Sequence, residues 1–189
     1  MTGAPETFVS VDVETAGPIP GEFSLLSIGA CAVDNVAETF ACELQPINRN
    51  ADPEALKVAG LSLDVLASSG LAPVEAMARF AAWADALAHG NDKLVFVGFN
   101  APFDWSFVNY YFHRFLGRNP FGFAALDIKA YYMGVTGCTW ADTRSSRMAA
   151  ALQPRAHGDH KALHDALYQA ELFRLTRDLR ARARRATSS

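Results

Sequence analysis

Three cysteines among 189 residues, Cys31, Cys42 and Cys138, provide neither the C-x-x-C spacing of a zinc or redox site nor the even set of a disulfide framework. They read as small inert thiols in a reducing compartment, which makes the cytoplasm the expected location. Long apolar runs are lacking too, since stretches such as residues 94–99 fall far short of the roughly 20 residues that cross a bilayer. The opening MTGAPET has no basic or apolar leader segment, so neither secretion nor membrane insertion is expected. No repeat, low-complexity tract or long linker divides the chain, and residues 1–189 read as a single domain with 183–189 as a disordered tail. Half of the residues are apolar and 20% are charged, a balance that excludes fibrous or intrinsically disordered chains. A globular domain of this length can bury roughly 70% of the surface that its unfolded chain exposes.

Net charge is small, −3, but unevenly spread. Residues 1–100 hold 4 Lys and Arg against 13 Asp and Glu, whereas residues 101–189 hold 13 against 7. The basic second half offers a surface for a polyanion, although many of its arginines crowd the final helix, RLTRDLRARARR, where they also describe a solvated face.

The apolar patterning predicts strands at 8–13, 25–33 and 37–44, with Asp34-Asn35 as a hairpin break, so three antiparallel strands open the fold. Met77, Phe80, Ala81, Ala84 and Leu87 recur at helical spacing over 73–89, with Gly90 as the stop. A short buried strand follows at 94–97, then a helix over 102–116 ended by Gly117, an extended piece at 125–128, and a last helix from 161 to about 182. This order argues for a mixed sheet flanked by helices.

Three places carry candidate chemistry. Asp12 and Glu14 end the first strand two residues apart, so alternation puts both carboxylates on one face, about 6 to 7 Å apart at the backbone. A divalent cation would relieve their repulsion; an exposed acidic strand end has the same spelling. Asn100 is a candidate N-cap for the next helix, leaving Asp104 in its first turn, where the helix dipole favours a carboxylate. His160 and Asp165 are separated by about 140° if both lie on one helix, so they converge only if His160 sits in the preceding loop. His157 and His164 compete with it.

Taken together, these sites resemble the DEDDh family of 3′ to 5′ exonucleases, and within it the ribonuclease T branch. Residues 12–17 spell D-V-E-T-A-G, 53–56 P-E-A-L, 100–107 N-A-P-F-D-W-S-F, 118–121 R-N-P-F, and 160–165 H-K-A-L-H-D, in the family's order. The resemblance implies a ribonuclease H-like α/β fold with a mixed five-stranded sheet. It implies that Asp12, Glu14, Asp104 and Asp165 hold two Mg²⁺ or Mn²⁺ ions, with His160 as general base. It assigns substrate contacts to Thr15, Glu54, Asn100, Phe103 and Phe123, and puts Pro18 and Val58 where the branch has two further stacking aromatics. A homodimer acting on single-stranded RNA or DNA 3′ ends and releasing mononucleotides is the implied function. The sugar preference stays open. The rival reading is a non-catalytic nucleic-acid-binding or polymerase-accessory module with the same fold.

Overall fold

A computed structural model of the protein describes residues 5–90 and 92–187. Its five strands are β1 (Glu6–Thr15), β2 (Leu25–Ala32), β3 (Thr39–Glu43), β4 (Lys93–Gly98) and β5 (Ala125–Asp127), in the order β3-β2-β1-β4-β5. The first three form the expected antiparallel meander, while β4 runs parallel to β1 and β5 parallel to β4. Seven helices accompany them among the described residues: α1 (Pro53–Ala59), α2 (Leu63–Ser69), α3 (Pro73–Leu87), α4 (Ala101–Leu116), α5 (Ile128–Thr136), α6 (Ser145–Leu152) and α7 (Ala162–Thr187). A 3-10 turn spans Trp140–Thr143. The sequence reading omits α1, α2, α5 and α6. Each is about two turns long, too short to display a 3.6-residue period. What starts α1 and α2 is capping, by Asp52 onto the Glu54 amide and by Ser62 onto the Val65 amide.

Alternation along β1 sorts the molecule into layers. Val9, Val11 and Val13 face α3 and α4, joining Phe80, Phe96, Phe107, Tyr111 and Phe112 in one buried cluster. The other face meets α5, α6 and α7, where Cys31, Val97, Ile128, Met148 and Phe173 form a second cluster and Phe8 packs on Phe173. Asp12 and Glu14 belong to this second face by the same alternation.

Two features of the sheet set up the site. Parallel pairing of β1 with β4 stops at Ser10↔Val97, whereas pairing with β2 continues to Thr15↔Leu25, so the second half of β1 runs on with one edge unpaired. Gly29, opposite Asp12, lets α7 lie against the sheet: a Cβ there would stand 2.1 Å from the backbone carbon of Ala162.

The helix α7 continues through Thr187, so residues 183–187 are helical rather than part of the disordered tail expected at 183–189. Alternating Ala and Arg are strong helix formers, which carries the helix past the last packed turn. Ser188 and Ser189 lie outside the described residues. Among the described residues no helix is long and apolar enough to cross a membrane, and all three cysteines are free thiols.

Candidate active site

The unpaired edge of β1 is where the site forms. The Val13 amide, without a strand partner on that side, donates to Asp104 Oδ1 at 3.1 Å. Asp104 lies in the first turn of α4 and is only 5% exposed, so it is fixed to the backbone between Asp12 and Glu14. From the other side comes α7, whose Asp165 accepts from the amides of Asp159 (2.9 Å) and His160 (3.1 Å). These bonds fold the 157–160 loop around the Asp165 carboxylate. Gly158 permits the wrap, since a Cβ there would stand 2.7 Å from Asp165 Oδ1.

Carboxylate oxygens of Asp12, Glu14 and Asp165 lie within 4.8 Å of one another. Asp104 stands behind this trio, close enough to raise the proton affinity of Asp12. Burial first, then the charges of Asp104, Asp165 and Glu14, hold the Asp12 carboxyl well above the usual carboxylate range. Burial and Asp165 push Glu14 up to about 7, and burial raises Asp104. Among the described residues the hydrogen-bond donors to these four carboxylates are all neutral: an amide side chain and three backbone amides. Mutually repelling carboxylates with no cationic side chain bonded to them are a donor set suited to hard divalent cations, and an oxygen-only set favours Mg²⁺ or Mn²⁺ over zinc.

His160 occupies the loop position that convergence requires. Its φ of 59° is left-handed, it is exposed, and α7 begins only two residues later. It borders a cavity of about 700 Å³ together with Asp12, Asp165 and Phe99. His157 borders the same cavity. His164 is turned to Asp159, with Nδ1 at 2.9 Å from Oδ2.

One residue of the site is invisible to motif reading. Gln169 Nε2 donates to Asp12 Oδ1 at 2.6 Å, and Gln169 Oε1 accepts from the Phe99 amide at 2.9 Å. This buried side chain fixes Asp12 against the end of β4. It lies four residues after Asp165 on α7 and so on the same helical face. A polar residue on an inward-facing stripe is the signal that could have found it.

The chain is matched over residues 9–173 by the exonuclease family model RNase_T. The chain belongs to this exonuclease family. It is a 3′ to 5′ exonuclease and thus a phosphodiester hydrolase. It is 57% identical over 170 residues to the 3′-5′ DNA exonuclease Cap18 of Escherichia coli, an alignment covering 90% of this chain and 91% of that protein. Among solved structures it is similar to the nuclease domain of 3′hExo, a DEDDh family member bound to rAMP, with a TM-score of 0.73 and 15% identity over 94% of this chain and 95% of that one. E. coli Exonuclease I in complex with a dT13 oligonucleotide matches with a TM-score of 0.73 and 17% identity over 96% of this chain and 43% of that one. The fold is therefore the ribonuclease H-like one expected from the motifs.

Substrate-contact candidates of this exonuclease divide into two groups. Thr15, Glu54 and Phe103 line a second cavity of about 400 Å³ with Glu14, Pro18 and Val58. Phe103 is 36% exposed there, while the Thr15 hydroxyl donates to the Gly17 carbonyl at 2.9 Å and shapes the turn. Asn100 and Phe123 border neither cavity. Phe123 is 94% exposed, because Phe121 takes the core position and the left-handed Gly122 turns the chain outward. Asn100 does not cap α4 as expected. Its backbone is left-handed (φ 61°), and Asp127 at the end of β5 accepts from the Ala101 amide at 2.8 Å instead.

Proposed function

We propose that this exonuclease removes mononucleotides from the 3′ end of single-stranded DNA with the help of two Mg²⁺ or Mn²⁺ ions. The observation that carries the reading is the convergence of Asp12, Glu14 and Asp165 within 4.8 Å at the open edge of β1. The polarity and the choice of DNA over RNA follow the relative of 57% identity, a 3′-5′ DNA exonuclease.

Asp12, Glu14 and Asp165 would hold the ions, with Asp104 completing the charge of the set. When bound, the ions supply an acidified water and neutralise charge at the departing 3′ oxygen. His160 accepts the proton of the attacking water on an imidazole nitrogen, a role that its loop position beside Asp165 allows. Gln169 holds Asp12 in one rotamer. Glu54 and Phe103 bind the terminal nucleotide beside Glu14, with the ring of Phe103 under the base; Pro18 and Val58 add bulk there but no stacking face. Thr15 acts through the turn it closes. Asn100 and Phe123 contact substrate only at the margin of the site.

Assembly as a homodimer rests on the resemblance. Of the second-half arginines that could guide substrate across such a dimer (Arg114, Arg118, Arg144, Arg147 and Arg155), Arg118 and Arg147 are paired with Asp85 and Asp142 and Arg114 bonds the Tyr110 hydroxyl, which leaves Arg144 and Arg155 as the stronger candidates. A cytoplasmic location fits the three free thiols. Light scattering at micromolar concentration tests the dimer.

The test of the reaction is a strand labelled at its 5′ end, offered as DNA and as RNA with Mg²⁺. A ladder shortening from the 3′ end, faster on DNA and stopped by a chelator, is expected. Chelator-resistant digestion would overturn the metal-dependent reading, and binding without digestion would favour a non-catalytic module.

A further inference from the structure

Cavities with different walls border the acid cluster, two of which are large enough for a nucleotide and lined on different elements. Glu14 borders the one with Glu54 and Phe103; Asp12 borders the other, with Phe99, Ser145, Ser146 and Tyr168. A strand with its terminal nucleotide in the first and its scissile phosphodiester at the carboxylates has the second open to it on the Asp165 and His160 side. Beyond Phe99, a wall residue of that second cavity, and connected to it through Lys129, stands an exposed aromatic residue that the family motifs do not explain. Trp140 is 53% exposed and opens the 3-10 turn that leads into Ser145 at the start of α6. Lys129 Nζ lies 4.3 Å from the Trp140 ring centroid and 5.8 Å from that of Phe99, so one ammonium joins the exposed indole to a wall of the catalytic cavity.

We infer that Trp140 and Lys129 form a stacking platform for a base upstream of the scissile phosphodiester; the inference rests on the exonuclease reading above. One indole face lies under the ammonium, and the 53% exposure of Trp140 leaves indole surface for a base to stack on. An open indole face held in place by a cation accepts any base without sequence preference. Lys129 pairs with no carboxylate among the described residues, and neither does the exposed Arg144 between Trp140 and Ser145, so positive charge for the backbone phosphates is at hand. The platform belongs to the 3-10 turn before α6, not to the elements that line the terminal-nucleotide cavity. It gives the chain a grip on the strand that Pro18 and Val58 do not provide.

The test uses the full chain and two substrates: an oligothymidylate of about ten nucleotides, a length that single-strand sites commonly cover, and a nitrophenyl ester of thymidine monophosphate, which cannot reach Trp140. The ratio of kcat/KM for the oligonucleotide to that for the ester is expected to fall about 5- to 100-fold in Trp140→Ala, the range of one lost base stack, mainly through KM. Trp140→Phe should keep most of the ratio, and Lys129→Gln should lower it while flattening its salt dependence. In chelator, the oligonucleotide should quench tryptophan emission, and the quench should vanish in Trp140→Phe, because Trp83 and Trp105 pack against the core. An active enzyme with an unchanged ratio in Trp140→Ala and no quench overturns the platform alone. A wild-type protein that cleaves neither substrate yet shows Trp140 quenching overturns the nuclease reading and keeps the platform.

Discussion

The two faces of β1 use one strand in opposite ways. Val9, Val11 and Val13 point into the α3 and α4 layer and are buried among aromatic rings, whereas Asp12 and Glu14 point at α7 and face another carboxylate. One face stabilises the fold by removing apolar surface from water. The other works against it, since burial and like charge both penalise the ionised carboxyls. The contrast teaches that alternation alone can place a destabilised, metal-seeking site one residue away from the best-packed part of the core.

The largest effect expected is on the charged face. Asp12→Asn should lower exonuclease activity about 10³-fold or more, the scale of losing several kcal/mol of charge stabilisation, while the melting temperature of metal-free protein stays level or rises because a repelling charge is gone. His160→Ala should cost about 10² to 10⁴ in kcat with divalent-ion binding retained, and His164→Ala far less because His164 is turned to Asp159. Steady-state rates alongside calorimetric metal titrations check both.

Gln169→Leu sharpens the contrast, because it removes an orienting bond to Asp12 without replacing any proposed ligand. A loss of about 10- to 100-fold in metal affinity is expected, the usual cost of an outer hydrogen-bond partner. Val11→Ala, on the apolar face of the same strand, should invert the pattern. It should destabilise the protein by about 2 kcal/mol, from two lost methyl groups and a residual cavity, with kcat nearly unchanged below the melting transition.

A further effect, read on metal-free protein alone, is a pH dependence. Glu14, at about 7 when folded against an ordinary 4.5, holds its proton more tightly in the folded state. Its stabilising contribution is complete below pH 4.5 and is lost as pH rises through 7, and Asp12 and Asp104 act in the same direction. Metal-free protein should therefore melt at a lower temperature at pH 8 than at pH 5. Added Mg²⁺ should restore most of the difference, by about 2.7 kcal/mol at one hundred times its dissociation constant.

Much of this was legible from residues alone. The strand pair Asp12 and Glu14 and the helix-opening Asp104 follow from alternation and first-turn chemistry, whereas the choice of His160 over His157 and His164 rests on the family resemblance. What stayed hidden depends on contacts between distant segments. Gln169 reaches Asp12 across 157 positions, Asp127 takes over the capping role that local spelling gives to Asn100, and Gly29 matters only because α7 lies on it. Phe123 is a different case, a motif-matched ring whose 94% exposure comes from the left-handed Gly122 turn, a feature that no apolar period announces.

The central claim is that the charged face of β1 exists to hold divalent cations. Calorimetric titration of Mn²⁺ into wild type and Asp12→Asn, both shown to be folded, tests it most directly. The account requires saturable binding in the wild type that is lost or weakened at least tenfold in the variant. Equal binding in the two proteins would contradict it.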